Sequence, residues 1–158
     1  SDARIRSLVD KTLDSHAIQK VISRVQASGI HVIANYIFGL PEEDQLSMEN
    51  TLGLALDLGC EFSNFNVAMA YPGSPLHASA LKEGIPLPKT WSGYSQHSTD
   101  CLPLPTKHLT SQQVLHFRDE AFRTYFSHPR YQQRLQDRLG SGAVARIQAM
   151  LESKLVRQ

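Results

Sequence analysis

The stretch from His31 to Glu43, reading His-Val-Ile-Ala-Asn-Tyr-Ile-Phe-Gly-Leu-Pro-Glu-Glu, constrains the fold more than any other part of the chain. Residues His31 to Phe38 are rich in β-branched and aromatic side chains, which pack well on a pleated surface, so the run predicts a strand that Gly39 and Pro41 stop. Its two faces are both apolar, with Ile33 and Ile37 on one and Val32, Ala34, Tyr36 and Phe38 on the other. A strand of that kind is expected to be buried on both sides, the habit of a parallel sheet in an α/β protein. Ligands of such sheets sit beyond the carboxyl ends of the strands, which puts Gly39, Leu40, Pro41 and Glu42 at the functional edge.

The flanking sequence supplies the helices that a parallel sheet needs. Ser1 to Lys11 reads as a short helix with Ile5, Leu8 and Val9 on one face, and Asp14 or Ser15 caps a firmer one. There Ala17, Ile18, Val21, Ile22 and Val25 recur at the spacing of a buried stripe, and Gly29 ends it. After Pro41, the carboxylates Glu42, Glu43 and Asp44 are expected in the first turn of a helix that reaches about Leu58. That helix should bury Met48, Leu52, Ala55 and Leu58, with Gly59 as its stop. A second strand follows over Phe62 to Tyr71. It has Phe65, Val67 and Met69 on one face and Asn64, Asn66, Ala68 and Ala70 on the other, and the helix-strand-helix-strand order predicts a right-handed parallel crossover. Its small, polar face leaves room for something, although strand asparagines commonly serve as hydrogen-bonded fillers.

Beyond Tyr71 the pattern changes. Ser74 and Pro75 start a short helix ending near Gly84, and a Pro-rich segment with Pro86, Pro88, Pro103 and Pro105 runs on to Thr110. Trp91, Tyr94 and His97 argue for an ordered segment, either a lid or a stretch laid across the domain, with simple wrapping as the alternative. Thr110 and Gln113 form a capping box, and Val114, Leu115, Ala121, Phe122, Tyr125 and Phe126 give the next helix a broad apolar side. Helices over 129–139 and 142–156 complete the chain. The division expected is 1–84 (α/β part), 85–110 (loop or lid) and 111–158 (helical region). Two strands cannot close a barrel or an ordinary sheet, because each outer edge needs a partner. The chain therefore reads as part of a larger protein or as a subunit of a homo-oligomer.

A formal charge of +1 on 158 residues, with Lys and Arg scattered apart from a mild cluster at Lys154 and Arg157, points to no nucleic-acid partner. No apolar run approaches the roughly 18 residues of a membrane span, and with no signal peptide visible a cytoplasmic setting is expected. Cys60 and Cys101 are too far apart for a CxxC metal site and read as buried bystander thiols. The seven histidines are dispersed, and no GxSxG, HExxH or phosphate-binding glycine loop is present, so no catalytic residue and no metal ligand is assigned. A hydrolase built on His97 with Glu42 or Asp100 lacks a nucleophile.

Three segments carry a family likeness: Ala34-Asn-Tyr-Ile-Phe-Gly-Leu-Pro-Glu-Glu43, then Ser47-Met48-x-x-Thr51-Leu52-x-Leu54-Ala55, then Ala70-Tyr-Pro-Gly-Ser-Pro-Leu76. In this order and spacing they resemble the C-terminal half of a radical S-adenosylmethionine enzyme of the cobalamin-domain branch, which contains the anaerobic magnesium-protoporphyrin monomethyl ester cyclase and various methylases. The segments Trp91 to Thr106 and Phe117-Arg118-Asp119 are similar to that branch as well.

The resemblance implies the last two strands of a six-stranded partial (β/α) barrel followed by a mostly helical region. It further implies that Ile37 packs on the adenine of S-adenosylmethionine, that Gly39 allows close approach, that Glu42 shapes the turn, and that Ala70 and Tyr71 line the same site. Asn35, Asn66, Trp91, Tyr94 and His97 are the substrate or lid candidates. The cluster motif CxxxCxxC is absent, as are the earlier strands and the cobalamin domain. A parent enzyme of oxidative cyclase or methyltransferase type, with tetrapyrroles among its possible small-molecule substrates, would carry S-adenosylmethionine, a [4Fe–4S] cluster and cobalamin. This chain alone is expected to hold none of them and to be inactive without its N-terminal half. The alternative expectation is a non-enzymatic α/β module that oligomerises or binds a partner through its strand edges.

Overall fold

The computed structural model describes Ile5, residues 15–153 and residues 156–157. Most of the expected helix over Ser1 to Lys11, the cap candidate Asp14, and Lys154 lie outside what is described; Ser15, the other cap candidate, is the first residue of a helix, and Ile5 is helical and buried. The elements in order are α1 (Ser15–Ala27), β1 (Ile33–Phe38), α2 (Gln45–Leu58), β2 (Phe62–Val67), α3 (Pro75–Lys82), a 3-10 turn (Ser92–Tyr94), α4 (Ser111–Ser127), α5 (Pro129–Leu139) and α6 (Ser141–Glu152). β1 and β2 pair in parallel with Ile33 opposite Phe62 and Phe38 opposite Val67, joined through α2. The mixed α/β class with two parallel strands, crossover helices and a helical C-terminal region is as the sequence predicts.

The core lies on one face of the sheet. Tyr36, Phe38 and Phe65 are buried there against Met48 and Ala55 of α2 and Phe117, Ala121, Tyr125 and Phe126 of α4. Phe38 meets the edge of Phe117 at 5.0 Å between ring centroids, and Phe65 meets Tyr125 at 5.4 Å, geometries that aromatic quadrupoles favour. Tyr131 and Leu135 of α5 and Ile147 of α6 join the same cluster. The other face is open. Ile33 is 62% exposed, Ile37 49%, and Asn35 and Asn64 are exposed as well. The expectation of a strand buried on both sides is thus corrected: apolar residues do line both faces, but helices cover only one.

Two further expectations change. No described side chain of α1 is buried; Ile18, Ile22 and Val25 are half-buried and Val21 is exposed, so its stripe faces little of the described chain. Glu42, Glu43 and Asp44 precede α2 instead of filling its first turn. Asp44 is the N-cap, accepting from the Ser47 amide at 2.8 Å while Ser47 Oγ accepts from the Asp44 amide at 3.1 Å. The other caps fall where the residues predicted them, with Thr110 and Gln113 opening α4 and Ser74 and Pro75 opening α3.

The outer edge of β2 is covered. Arg118 of α4, itself buried, donates Nε–H to the Phe65 carbonyl at 2.7 Å, which satisfies a backbone acceptor that no strand reaches. At the amino ends of the strands, Tyr125 Oη–H donates to Cys60 O at 2.7 Å and Tyr131 Oη–H to Glu61 O at 3.0 Å, tying α4 and α5 to the start of β2. β1 has no second strand neighbour among the described residues. Among them, too, no helix is long and apolar enough to cross a membrane.

Candidate functional site

Two neighbouring carboxylates hold the turn that ends β1. Glu43, buried at 2% exposure, accepts from the Leu40 amide through Oε2 at 3.0 Å, and its own amide donates to Leu40 O at 2.8 Å. Glu42 instead pairs with Lys107, whose amide donates to Pro41 O at 2.9 Å. Glu43 thus closes the turn from inside through the Leu40 amide, while Glu42 joins it to Lys107 from outside. Gly39 takes a φ of 80°, and the space a side chain would need is filled by Val114 of α4. Its lack of a Cβ admits the Val114 side chain of that helix.

At the end of β2 the chain continues through Ala68, whose amide donates to Phe38 O at 2.8 Å and whose carbonyl accepts from Leu104 at 3.2 Å. Ala70 is buried with Ala80 and Leu104, so its methyl group faces a small core. Tyr71 turns out of that core and stacks on Tyr94, with centroids 5.9 Å apart and 26° between planes. Its hydroxyl donates to Tyr94 O at 3.4 Å. Trp91 meets the Tyr94 ring at 5.7 Å between centroids and is 75% exposed. The Pro-rich segment is thus laid across the carboxyl ends of the strands, burying its own Tyr94 and Cys101 against Val67 and Met69 and its Leu104 against Ala70.

Under this segment lies a cavity of about 490 Å³. Of the ten residues named from the sequence, Ile37, Asn66, Tyr71, Tyr94 and His97 share its wall. Gly39, Glu42, Ala70, Trp91 and Asn35 do not, Asn35 sitting on the open face where Asn64 Nδ2–H donates to its Oδ1 at 3.0 Å. Asn66 is a bonded bridge: its Nδ2–H donates to Tyr36 O at 3.3 Å, and its Oδ1 accepts from Gln96 Nε2–H at 2.6 Å. Leu40, placed at the functional edge by the sequence, lines the cavity too, as do Gln96 and Leu76, which were not named as site residues. Only a long-range pairing with Asn66 would have marked Gln96.

A second cavity of about 490 Å³ adjoins the first, sharing Gln96 and His97. Phe62, Phe122 and Met150 give it apolar walls, and Arg118, Asp119 and Arg123 give it charge. Burial, and then the Arg118 and Arg157 guanidinium groups, hold the His97 imidazole below its ordinary range, with Asp119 opposing. The neutral imidazole, which can both donate and accept, is thereby favoured. Burial raises the Asp119 carboxyl, but hydrogen bonds from Arg157 and Arg118 outweigh it and bring the group below the ordinary carboxylate range.

Aromatic rings, aliphatic side chains and amides dominate the first cavity, a surface suited to a planar ring system with edge polarity. Ser95 and His97 both stand on it, but the Ser95 hydroxyl accepts from the His97 backbone amide at 3.3 Å, a local turn contact that does not activate the hydroxyl as a nucleophile. The hydrolase constellation does not assemble: Glu42 engages Lys107, and Asp100 accepts from the hydroxyls of Ser92 and Ser98. Among the described residues no three His, Cys, Asp or Glu side chains converge as a metal site. Cys60 and Cys101 are free and buried.

No family model matches the chain. It is similar to an uncharacterized methyltransferase of Pyrococcus horikoshii, 24% identical over 127 residues. The match covers 80% of this chain and 27% of that protein, so the chain spans about a quarter of the length of its curated relative.

Proposed function

We propose that this chain is the C-terminal part of a radical S-adenosylmethionine enzyme of methyltransferase or oxidative cyclase type, its carboxyl sheet edge forming one wall of the nucleotide site. The observation that carries the reading is the one-sided sheet. Two parallel strands leave Ile33, Asn35 and Ile37 open on one face, and that face leads to an aromatic-lined cavity at the carboxyl ends. Such a surface is the inner wall expected of a barrel whose other strands come from elsewhere. The similarity to a methyltransferase of much greater length supports the same reading.

The cavity suits the adenine of S-adenosylmethionine. Ile37 offers an aliphatic face, the Tyr71 and Tyr94 rings flank the cavity, and Asn66 and Gln96 present amides for ring nitrogens. When bound, S-adenosylmethionine supplies the reactive group. The residues of this chain bind and orient its base and exclude water from it. The [4Fe–4S] cluster does not fit here, since the family's cluster needs three thiolates in a CxxxCxxC motif and this chain has two cysteines, Cys60 and Cys101, far apart in sequence. Cluster and cobalamin belong to the N-terminal half in this reading, and the small-molecule substrate lies beneath the lid of Tyr94 and His97. The strand edge of β1 is then the junction with that half.

Anaerobic purification of the protein together with its upstream sequence tests this. Iron and sulfide bound through a CxxxCxxC motif, with 5′-deoxyadenosine released from S-adenosylmethionine on reduction, is the expected result. An upstream region without that motif, or a reduced protein that leaves S-adenosylmethionine intact, would refute it. In that case the unpaired edge of β1 favours the second reading, a non-enzymatic module that self-associates by strand pairing, visible as a stable dimer in light scattering.

A further inference from the structure

We infer that the second cavity is a binding site for a small molecule with an apolar, ring-sized body and an anionic head group. The inference deepens the proposed function, resting on it for the premise that a second ligand lies beside the nucleotide wall. Its volume of about 490 Å³ is in the range of small-molecule pockets. Phe62, Phe122 and Met150 supply the apolar contact, while Arg118 and Arg123 stand on the same wall. The carboxylate on that wall, Asp119, is already held by Arg118 at 2.9 Å and by Arg157 at 2.8 and 2.9 Å. Two guanidinium groups, of Arg118 and Arg157, hold that one carboxylate. The Arg123 guanidinium, which donates to the neutral carbonyls of Leu151 and Ser153 at 3.3 and 3.4 Å, adds a third positive charge. The wall is therefore positive, and the cleft focuses that potential on whatever enters. The neutral imidazole of His97 adds a hydrogen-bonding group to the partition with the first cavity. A head group anchored here would point the apolar body along Phe62 toward the open sheet face, next to the nucleotide wall.

The inference is tested with two fluorescent probes of one shape, anionic 1-anilinonaphthalene-8-sulfonate and uncharged N-phenyl-1-naphthylamine, titrated into this chain. One saturable sulfonate site per chain is expected. Arg123→Gln should weaken the sulfonate about tenfold and leave the uncharged probe within about twofold. Ser153→Trp, at an exposed position on the cavity rim, should abolish both by occupying the space. If Arg123→Gln unfolds the chain, Ser153→Glu makes the equivalent change in charge without removing a contact from the core. Failure of the sulfonate to saturate, equal loss of both probes in the charge variants, or unchanged binding by Ser153→Trp would each overturn the inference. Cleavage of S-adenosylmethionine by the longer protein is read separately, so an anion site without that activity would retain this inference and discard the proposed function.

Discussion

Arg157 grips Asp119 with two parallel hydrogen bonds, Nε–H to Oδ2 at 2.9 Å and Nη2–H to Oδ1 at 2.8 Å. The same guanidinium donates to Ser98 O at 2.6 Å and Gln96 O at 3.0 Å, so one side chain ties the lid segment on both sides of His97 to α4. Bidentate charged pairs of this kind combine strength with fixed geometry.

Releasing the grip should therefore free the lid locally. Arg157→Ala is expected to speed amide hydrogen exchange at Gln96–Ser98 at least about tenfold while β1 and β2 stay protected, at a global cost of about 1–3 kcal/mol for charged hydrogen bonds. Exchange that accelerates equally across the sheet would show that Arg157 serves global stability instead.

Gly39→Ala should be costly for two separable reasons. A φ of 80° costs an L-residue roughly 1–2 kcal/mol, and contact with Val114 adds about 1–3 kcal/mol of overpacking. Combining it with Val114→Ala removes the second term alone. A double-mutant cycle on urea midpoints should give a favourable coupling of about 1 kcal/mol or more, and additivity would contradict the packing explanation.

Glu61 gives the fold an acid limb. Burial raises its carboxyl, but donors from the Val32 amide, Gln26 and Arg138 outweigh this and leave it below the ordinary value. A group depressed in the folded state contributes stability above its unfolded pKa and loses it as pH falls through the folded one. Glu61→Gln should cost about 1–3 kcal/mol near pH 7 and flatten the loss of stability in the acid range below about pH 5. A variant whose stability falls with acid as steeply as the wild type would exclude Glu61 as a source.

The thiols should be silent in the native state. Burial pushes Cys60 up to about 11 and raises Cys101, so little thiolate forms at pH 8. Ellman's reagent is expected to react with neither in the folded chain and with both in 6 M guanidinium; prompt reaction of the native chain would contradict their placement.

The strands, the caps and the apolar side of α4 were legible because each has a local cause: β-branched runs, Thr110 with Gln113, and the spacing from Val114 to Phe126. What was not legible depends on distant partners. Apolar residues at Ile33 and Ile37 read as buried because a sequence shows apolarity and not what covers it. Gly39 carries two demands, a positive φ and the approach of Val114, and nothing in the strand reveals the second. Glu42 and Glu43 are the same residue type side by side, and only the turn decides which one accepts from the Leu40 amide. Arg118 and Asp119 lay in a segment noted for its likeness, but their clasp with Arg157 spans 38 residues of chain and has no local signature.

The account turns on the wall at Ile37. In the protein with its upstream half and an intact cluster, equilibrium dialysis of radiolabelled S-adenosylmethionine against the Ile37→Asp variant addresses it most directly. The affinity should fall at least about tenfold, since a carboxylate would replace apolar contact with a ring. An unchanged affinity, with cluster content matching the wild type, would place the nucleotide elsewhere and contradict the account.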